Sequence, residues 1–532
     1  MNAQKTLNIL LLTGLALCVA QVWLPAYYLT GDGPCHVYNA QVLHDIWSKK
    51  DPAFYSRFFE VAYQPNPNWL TTFMLALLLF IVNGVIAEKI FLTLYVLLYV
   101  SGFYLLLKKI GKKKSYWLLI VFFFVFTNSL SKGFYNFSFS IAFYFWAVWT
   151  WLRFLEKRTF ANAVFFFFFI ALTFFTHLLA FVFAVITTAS LLISFALLNE
   201  DNGSKRVKPF LLKYSFVLLL LLSPFMFLMH WFTDKEGGMR IVLHHHFYRL
   251  VELAEFKYII NVTNSEVFFS AVAGVVLLAL FLFALRGFRK GFRLGKYDGF
   301  VISLLLISCV YLFFPDDFMG RAILISLRTQ LFVFILIACC ITAMVSDERI
   351  KNAAGLILFG CFIVLSFTRT TCRLSAAEGE TDYLSGTKYI KPNSVVLPLS
   401  FSPNGKDEHG NEIARRNWLF AHASQYMGTI RPLVILDNYE ANTGYFPIAW
   451  KQEVNPYLKL GNGGSFEDIP PYADIEGYKR STGVTIDYVL MWCYDSTFLQ
   501  NEQFRKLYNE VNSGYNKIYA SPTNRTILYE KK

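Results

Sequence analysis

The chain has 532 residues; 55% are apolar, 18% aromatic and only 16% charged, and the formal net charge is +13. An ordinary soluble domain is about 45–50% apolar and about 25% charged, so a soluble enzyme, a disordered chain and a coiled coil are excluded. The apolar residues form blocks long enough to cross a bilayer, and the basic residues lie in short clusters between them. Those clusters read as topology signals and not as a nucleic-acid surface.

In chain order, eleven spans are predicted, at 7–29, 86–107, 115–131, 136–155, 161–176, 177–198, 210–229, 265–285, 297–314, 327–345 and 352–368. The first lacks a small-residue cleavage site and reads as an uncleaved span. Five basic residues in Lys108–Lys114, four in Lys205–Lys213 and five in Arg286–Lys296 all fall on one side. The positive-inside rule then predicts a cytoplasmic N-terminus and a C-terminal region on the outer face, and the aromatic excess with an uncleaved leader fits a bacterial inner membrane. Residues 69–83 would reverse that order if they spanned. As a helix they reach only about 23 Å, so they are predicted to be re-entrant or interfacial. The first outer loop, 30–85, is expected to hold a helix over 36–47, in which His44 and Asp45 form a solvated face. Phe54, Tyr55, Phe58 and Phe59 make an apolar stripe suited to the bilayer interface.

After Thr368 the prolines and acids return and no spanning block follows. The division is thus a transmembrane module over 1–369 and a soluble α/β domain over 370–532. Its predicted strands are Val395–Leu399, Leu433–Leu436 and Ile486–Trp492, its helix is Asn501–Asn512, and a closing hairpin joins Lys517–Ala520 to Thr526–Tyr529. The eight cysteines have no metal spacing, and only Cys35, Cys372 and Cys493 lie outside apolar blocks, where a disulfide is open. Three successive histidines, His244–His246, point apart on a helix and are not read as a metal site.

The leading candidate for chemistry is Asp32, in Gly31-Asp32-Gly33-Pro34-Cys35-His36, just past the outer end of the first span. A carboxylate there suits a general base acting on a hydroxyl; helix capping is the alternative. His36 and Asn39 lie one turn apart on the following helix, where they either face the acceptor or sugar or serve as an interfacial cap. Cations on the outer side are scarce, and Arg321 and Arg328 suit a phosphate group, which guanidinium binds bidentately. Snorkelling or pairing with Asp316 and Asp317 is the competing role. Arg240 and Arg249 are weaker candidates. His177 and the group Lys132, Tyr135 and Asn136 sit at outer turns, as substrate contacts or structural residues. Tyr439 and Glu440 follow a strand of the outer domain, where sugar hydroxyls or plain loop structure account for them.

An inside N-terminus, one span, an acidic motif opening a long outer loop, interfacial helices and an outer C-terminal domain resemble the C-type (GT-C) integral-membrane glycosyltransferases. Pro65-Asn66-Pro67-Asn68-Trp69-Leu70 stands where one branch carries a proline-rich entry into an apolar helix, and Ala87-Glu88-Lys89 stands at the Glu-containing junction. The resemblance implies an inverting transfer from a polyprenyl-phosphate sugar to a glycan, lipid or protein acceptor. Asp32 is then the catalytic base, Arg321 and Arg328 hold the donor phosphate, and His36, Asn39, His177, Tyr439 and Glu440 hold substrate. The family usually has two acids together, whereas Gly33 follows Asp32 here; use of a divalent metal stays open, and no other cofactor is implied. A polysaccharide polymerase or ligase and a transporter or flippase are the competing functions. The terminal position of the soluble domain weighs against the first, and the lack of inverted repeats and mid-span charges weighs against the second.

Overall fold

The computed structural model describes residues 3–49, 52–63, 66–111, 114–198, 241–242, 246–257, 259–260, 262–286, 295–318, 324–461 and 465–532. The span expected at 210–229, with Arg240, His244, His245 and Arg321, lies outside them.

The chain enters through α1 (Ala3–Trp23). It turns at Gly31–Asp32 into α2 (Gly33–Trp47), where Pro34 sits in the first turn, a position that needs no backbone N–H. A short α3 (Pro52–Tyr55) and strand β1 (Phe59–Val61) lead to α4 (Leu70–Leu78). Nine residues of helix cannot cross a bilayer, as the topology required. The bundle continues through α5 (Gly84–Gly111), a short α6 (Asn128–Ser131), α7 (Tyr135–Glu156), α8 (Phe160–Thr176) and α9 (Leu178–Leu198). Beyond α9 come the two-residue strand β2 (Ile241–Val242), α10 (His246–Ala254), α11 (Glu266–Leu285), α12 (Gly299–Phe313), the two-residue strand β3 (Asp317–Phe318), α13 (Ile325–Met344) and α14 (Glu348–Tyr383). Among the described residues six helices are long and apolar enough to cross a membrane, and α8 and α12 are shorter apolar helices. Helix α14 runs without a break through 369–370 toward the following domain.

Residues 115–131 do not form the expected span. They make a 3₁₀ helix over Tyr116–Phe122, then turns, then α6, and every residue from 117 to 131 is buried. Irregular backbone inside a bundle is tolerated where protein surrounds it. Here Asn352 Oδ1 accepts from Ser115 Oγ and Tyr116 N, each at 2.7 Å, and Trp117 Nε1 donates to Thr342 Oγ1 at 2.7 Å.

The C-terminal part holds a five-stranded mixed sheet in the order β5-β4-β7-β9-β8. Its strands are β4 (Ser394–Ser400), β5 (Leu433–Ile435), β7 (Tyr488–Trp492), β8 (Tyr515–Ala520) and β9 (Thr526–Lys531). Strand β4 runs parallel to β5 and β7, and β8 and β9 close the sheet as the expected hairpin. A further strand, β6 (Ile448–Trp450), pairs antiparallel with β1 of the first loop.

That pairing corrects two expectations for the loop. Tyr55, Phe58 and Phe59 are buried, and Phe59 packs 4.3 Å from Trp450, so the aromatic stripe faces the sheet domain and not lipid. His44 and Asp45 are buried as well, with the His44 ring 4.5 Å from Phe80. All eight cysteines are unpaired.

One buried ion pair ties the bundle together. Arg369 Nε donates to Glu266 Oε2 at 2.7 Å, and its other nitrogens donate to the Phe126 and Ile259 carbonyls. Glu266 Oε1 accepts from Val262 N and Thr263 N. Removing one member of such a pair strands a buried charge, at a cost of about 3–5 kcal/mol. Arg369→Met is therefore expected to lower the thermal-unfolding midpoint in detergent, and adding Glu266→Gln, which keeps the acceptor, should recover part of the loss.

Candidate active site

Asp32 is held by backbone. Gly31 N donates to Ser131 O at 3.1 Å and Asp32 N to Lys132 O at 2.9 Å. The two turns lie so close that a Cβ on Gly133, which has φ +87°, would come 2.3 Å from Asp32 N. One on Gly33 would come 2.1 Å from Thr30 Oγ1. Glycine at 133 lets the two backbones meet, and glycine at 33 leaves room for the Thr30 and Tyr135 hydroxyls. Asp32 occupies the N-cap position of α2, yet its side chain makes no capping hydrogen bond. The half-buried carboxylate is thus not spent on ending the helix.

The residues around it come from distant parts of the chain. His36, buried on α2, puts Nε2 2.9 Å from the Gly133 carbonyl and Nδ1 3.0 Å from Glu440 Oε1. Burial alone would pull this imidazole down. The charge and hydrogen bond of Glu440, with Asp32 and the Gly133 carbonyl, outweigh it and hold His36 above its ordinary value. Asn39 Nδ2 donates to Glu440 Oε2 at 2.8 Å, and Asn438 Nδ2 donates to Asn39 Oδ1 at 2.7 Å. Burial, with Asp32 and Glu440 nearby, raises the Tyr439 phenol, which keeps its proton and faces Asp32. Sequence reasoning placed His36, Asn39, Tyr439 and Glu440 separately; the structure joins His36 and Asn39 to Glu440 and sets Tyr439 against Asp32.

The cations lie across the Lys132–Phe134 turn. Lys132 is half-buried, and burial lowers it, opposed by Asp32 and assisted by Lys257. Arg328 rests 4.5 Å above the Phe134 ring and 5.8 Å from Phe137. His177 meets Phe137 edge-on at 5.1 Å, and its Nδ1 accepts from Leu179 N at 3.2 Å, which caps α9. Asn68 N and Trp69 N donate to the Thr176 and Phe175 carbonyls, seating the start of α4 beside His177. Asn136 Oδ1 accepts from Thr71 Oγ1. Asp316 Oδ1 accepts from Ser326 N and Oγ, each at 2.7 Å, so it caps α13, the helix that carries Arg328. Arg249 is buried and donates to the Tyr311 carbonyl at 2.7 Å.

Two features went unread in the sequence. Glu88 accepts from Tyr135 OH at 2.5 Å and from Tyr426 OH; Tyr135 OH lies 3.1 Å from Thr30 Oγ1, which accepts from Gly33 N at 3.0 Å. His422 stacks on Tyr439 at 4.6 Å, with Nδ1 3.9 Å from Asp437 Oδ2. Only Ala87-Glu88-Lys89, an acid between apolar blocks, carried a signal for the first. Nothing local signalled the second.

The chain superposes on a crystal structure of ArnT from Cupriavidus metallidurans bound to undecaprenyl phosphate, with a TM-score of 0.51 at 9% identity. The match covers 99% of this chain and 98% of that one. The chain has the ArnT fold. The polytopic helical arrangement with a C-terminal sheet domain expected from the layout is the one observed. At this identity the likeness to ArnT lies in the arrangement of elements and not in the residues. No family model matches the sequence, and no curated protein matches it.

Burial works against the His422 charge, but Asp437, Glu467 and Asp32 raise it to about 9. A group raised on folding contributes stability in full below its unfolded value, near 6.5, and loses it as pH rises through the folded value. The unfolding midpoint is therefore expected to fall between about pH 6.5 and 9, and His422→Gln should flatten that part of the profile measured by differential scanning fluorimetry.

Proposed function

We propose that the chain is an integral-membrane glycosyltransferase that moves a sugar from a polyprenyl phosphate to a hydroxyl on a glycan, lipid or protein. The observation that carries this reading is the half-buried Asp32 carboxylate, free of capping duty, set within a whole-chain ArnT fold. The ArnT structure holds undecaprenyl phosphate, which supports a polyprenyl-phosphate donor here. The basic clusters at Lys108–Lys114 and Arg286–Lys296 support a cytoplasmic N-terminus in a bacterial inner membrane, with the sheet domain and Asp32 on the outer side.

In this mechanism Asp32 takes the proton of the acceptor hydroxyl as its oxygen bonds to the anomeric carbon. The bond from that carbon to the phosphate oxygen breaks, and polyprenyl phosphate leaves. Attack from the face opposite the phosphate inverts the anomeric centre. Arg328 and Lys132, on the other side of the Gly133 turn, supply positive charge for the departing phosphate. Arg328 keeps its charge at any working pH and has the planar fork that suits phosphate. Glu440 anchors His36 and Asn39 behind the base, which keeps the α2 turn in register with the sheet domain. Among the described residues no three His, Cys, Asp or Glu side chains are disposed to hold a metal ion, and each of these steps uses the chain's own groups.

The test is transfer from a panel of undecaprenyl-phosphate sugars by purified protein in nanodiscs. Loss of a general base costs about 10²- to 10⁴-fold, so Asp32→Asn should abolish transfer at an unchanged unfolding midpoint. Arg328→Lys keeps the charge but loses the fork, and is expected to raise the donor KM about tenfold with a smaller change in kcat. Full activity in Asp32→Asn would remove the base and with it the proposed mechanism.

A further inference from the structure

The sheet domain brings to the Asp32 side three groups that proton transfer and phosphate departure leave unused: His422, Tyr457 and Glu467. The segment before His422 runs past the Asp32 turn, since a Cβ on Gly31 would lie 3.3 Å from the Trp418 carbonyl. Trp418 itself is 66% exposed at that rim. His422 lies flat on Tyr439, with an interplanar angle of 24°, and Asp437 behind it is held by Ser424 Oγ at 2.7 Å and Gln425 Nε2 at 2.6 Å. From a third segment, Asn455 Oδ1 accepts from Tyr457 N at 3.0 Å, and Tyr457 OH donates to Glu467 Oε1 at 2.5 Å. Tyr439 and Tyr457 are half-buried and Glu467 is exposed. Asp32 is within electrostatic reach of His422, Tyr439 and Glu467.

We propose that Tyr439, His422, Tyr457 and Glu467, with Trp418 at the rim, form a subsite for a sugar ring that carries no negative charge. Aromatic faces suit the C–H face of a pyranose. A carboxylate with a phenol beside it suits neighbouring hydroxyls, because one accepts and the other both donates and accepts. The charge balance decides the class of sugar. Asp32, Asp437, Glu440 and Glu467 stand against His36 and His422, with Lys132 and Arg328 at the neighbouring turn assigned to the donor phosphate, so a uronate would meet like charge, whereas a neutral hexose or an amino sugar would not. The subsite deepens the transferase reading and rests on it only for what the bound ring is used for.

The experiment titrates the full chain in nanodiscs, by saturation-transfer NMR, with methyl glucoside, methyl glucosaminide and methyl glucuronide. The first two are expected to bind, and the glucuronide to bind about tenfold more weakly or worse, as the charge argument requires. Glu467→Gln and Tyr457→Phe should each weaken glucoside binding about three- to tenfold, the worth of one hydrogen bond. Asp32→Asn should retain binding while transfer is lost. Equal or tighter binding of the glucuronide, or unchanged glucoside affinity in both Glu467→Gln and Tyr457→Phe, would overturn the subsite. Normal transfer with no glycoside bound would overturn it too, leaving the transferase reading intact. Glycoside binding that follows the charge rule while no donor supports transfer would sustain the subsite and remove the transferase.

Discussion

Two backbone turns in van der Waals contact organise this molecule. Gly31–Asp32–Gly33 opens α2, and Ser131–Lys132–Gly133 opens α7; two backbone hydrogen bonds lock them together. The contact exists because Gly133 has no Cβ to drive into Asp32 N. It places the carboxylate on one side of a single turn and Lys132, Phe134 and Arg328 on the other. The Asp32 carboxylate, Lys132 and the Phe134 ring under Arg328 therefore share a scaffold that side-chain motion alone does not alter. Arg373 reinforces it by donating to the Leu29 carbonyl and to Ser131 Oγ, one residue group from each turn.

The sheet domain is part of the site and not an appendage. Tyr38 on α2 donates to the Leu433 carbonyl of β5 at 2.9 Å and accepts from Ile435 N at 3.2 Å. Glu440 then divides its two oxygens between His36 and Asn39. A helix in the first loop is thus hydrogen-bonded into a sheet edge and paired with a carboxylate from the same domain. Such a join resists sliding, because slipping one residue along α2 would leave several buried polar groups without partners.

The same economy governs the buried ionisable groups of the helical part. Arg369 makes bonds to three segments, and Glu88 accepts phenols from both α7 and the sheet domain. Charges are costly inside an apolar bundle unless partners meet them. These groups therefore hold irregular backbone in place where regular helix gives way to turns, which is where Asp32 lies.

Much of the architecture was legible because apolar runs report an apolar environment directly: α5, α7 to α9 and α11 to α13 fall within a few residues of the expected blocks, whereas α1 stops at Trp23, short of 29, and α14 runs on to Tyr383, well past 368. The short length of α4 and the strands at 394–400 and 488–492 were legible for the same local reason. Asp32 stood out as an acid flanked by glycines at the end of a span. Hydropathy failed at 115–131, since being surrounded by protein and being surrounded by lipid demand the same apolar residues. It failed again at Phe58 and Phe59, both buried, the second of them against Trp450 and not the bilayer. Nothing in the order of residues links Asn39 to Glu440, 401 positions away, or His422 to Tyr439. Local spacing encodes what each segment can be, and so the sequence by itself determined the membrane-embedded class and most helices, and singled out Asp32 as a candidate. The choice among many possible polar partners is made only when packing excludes water and leaves each buried donor one acceptor within reach, and so the tertiary structure alone decided which side chains surround that acid.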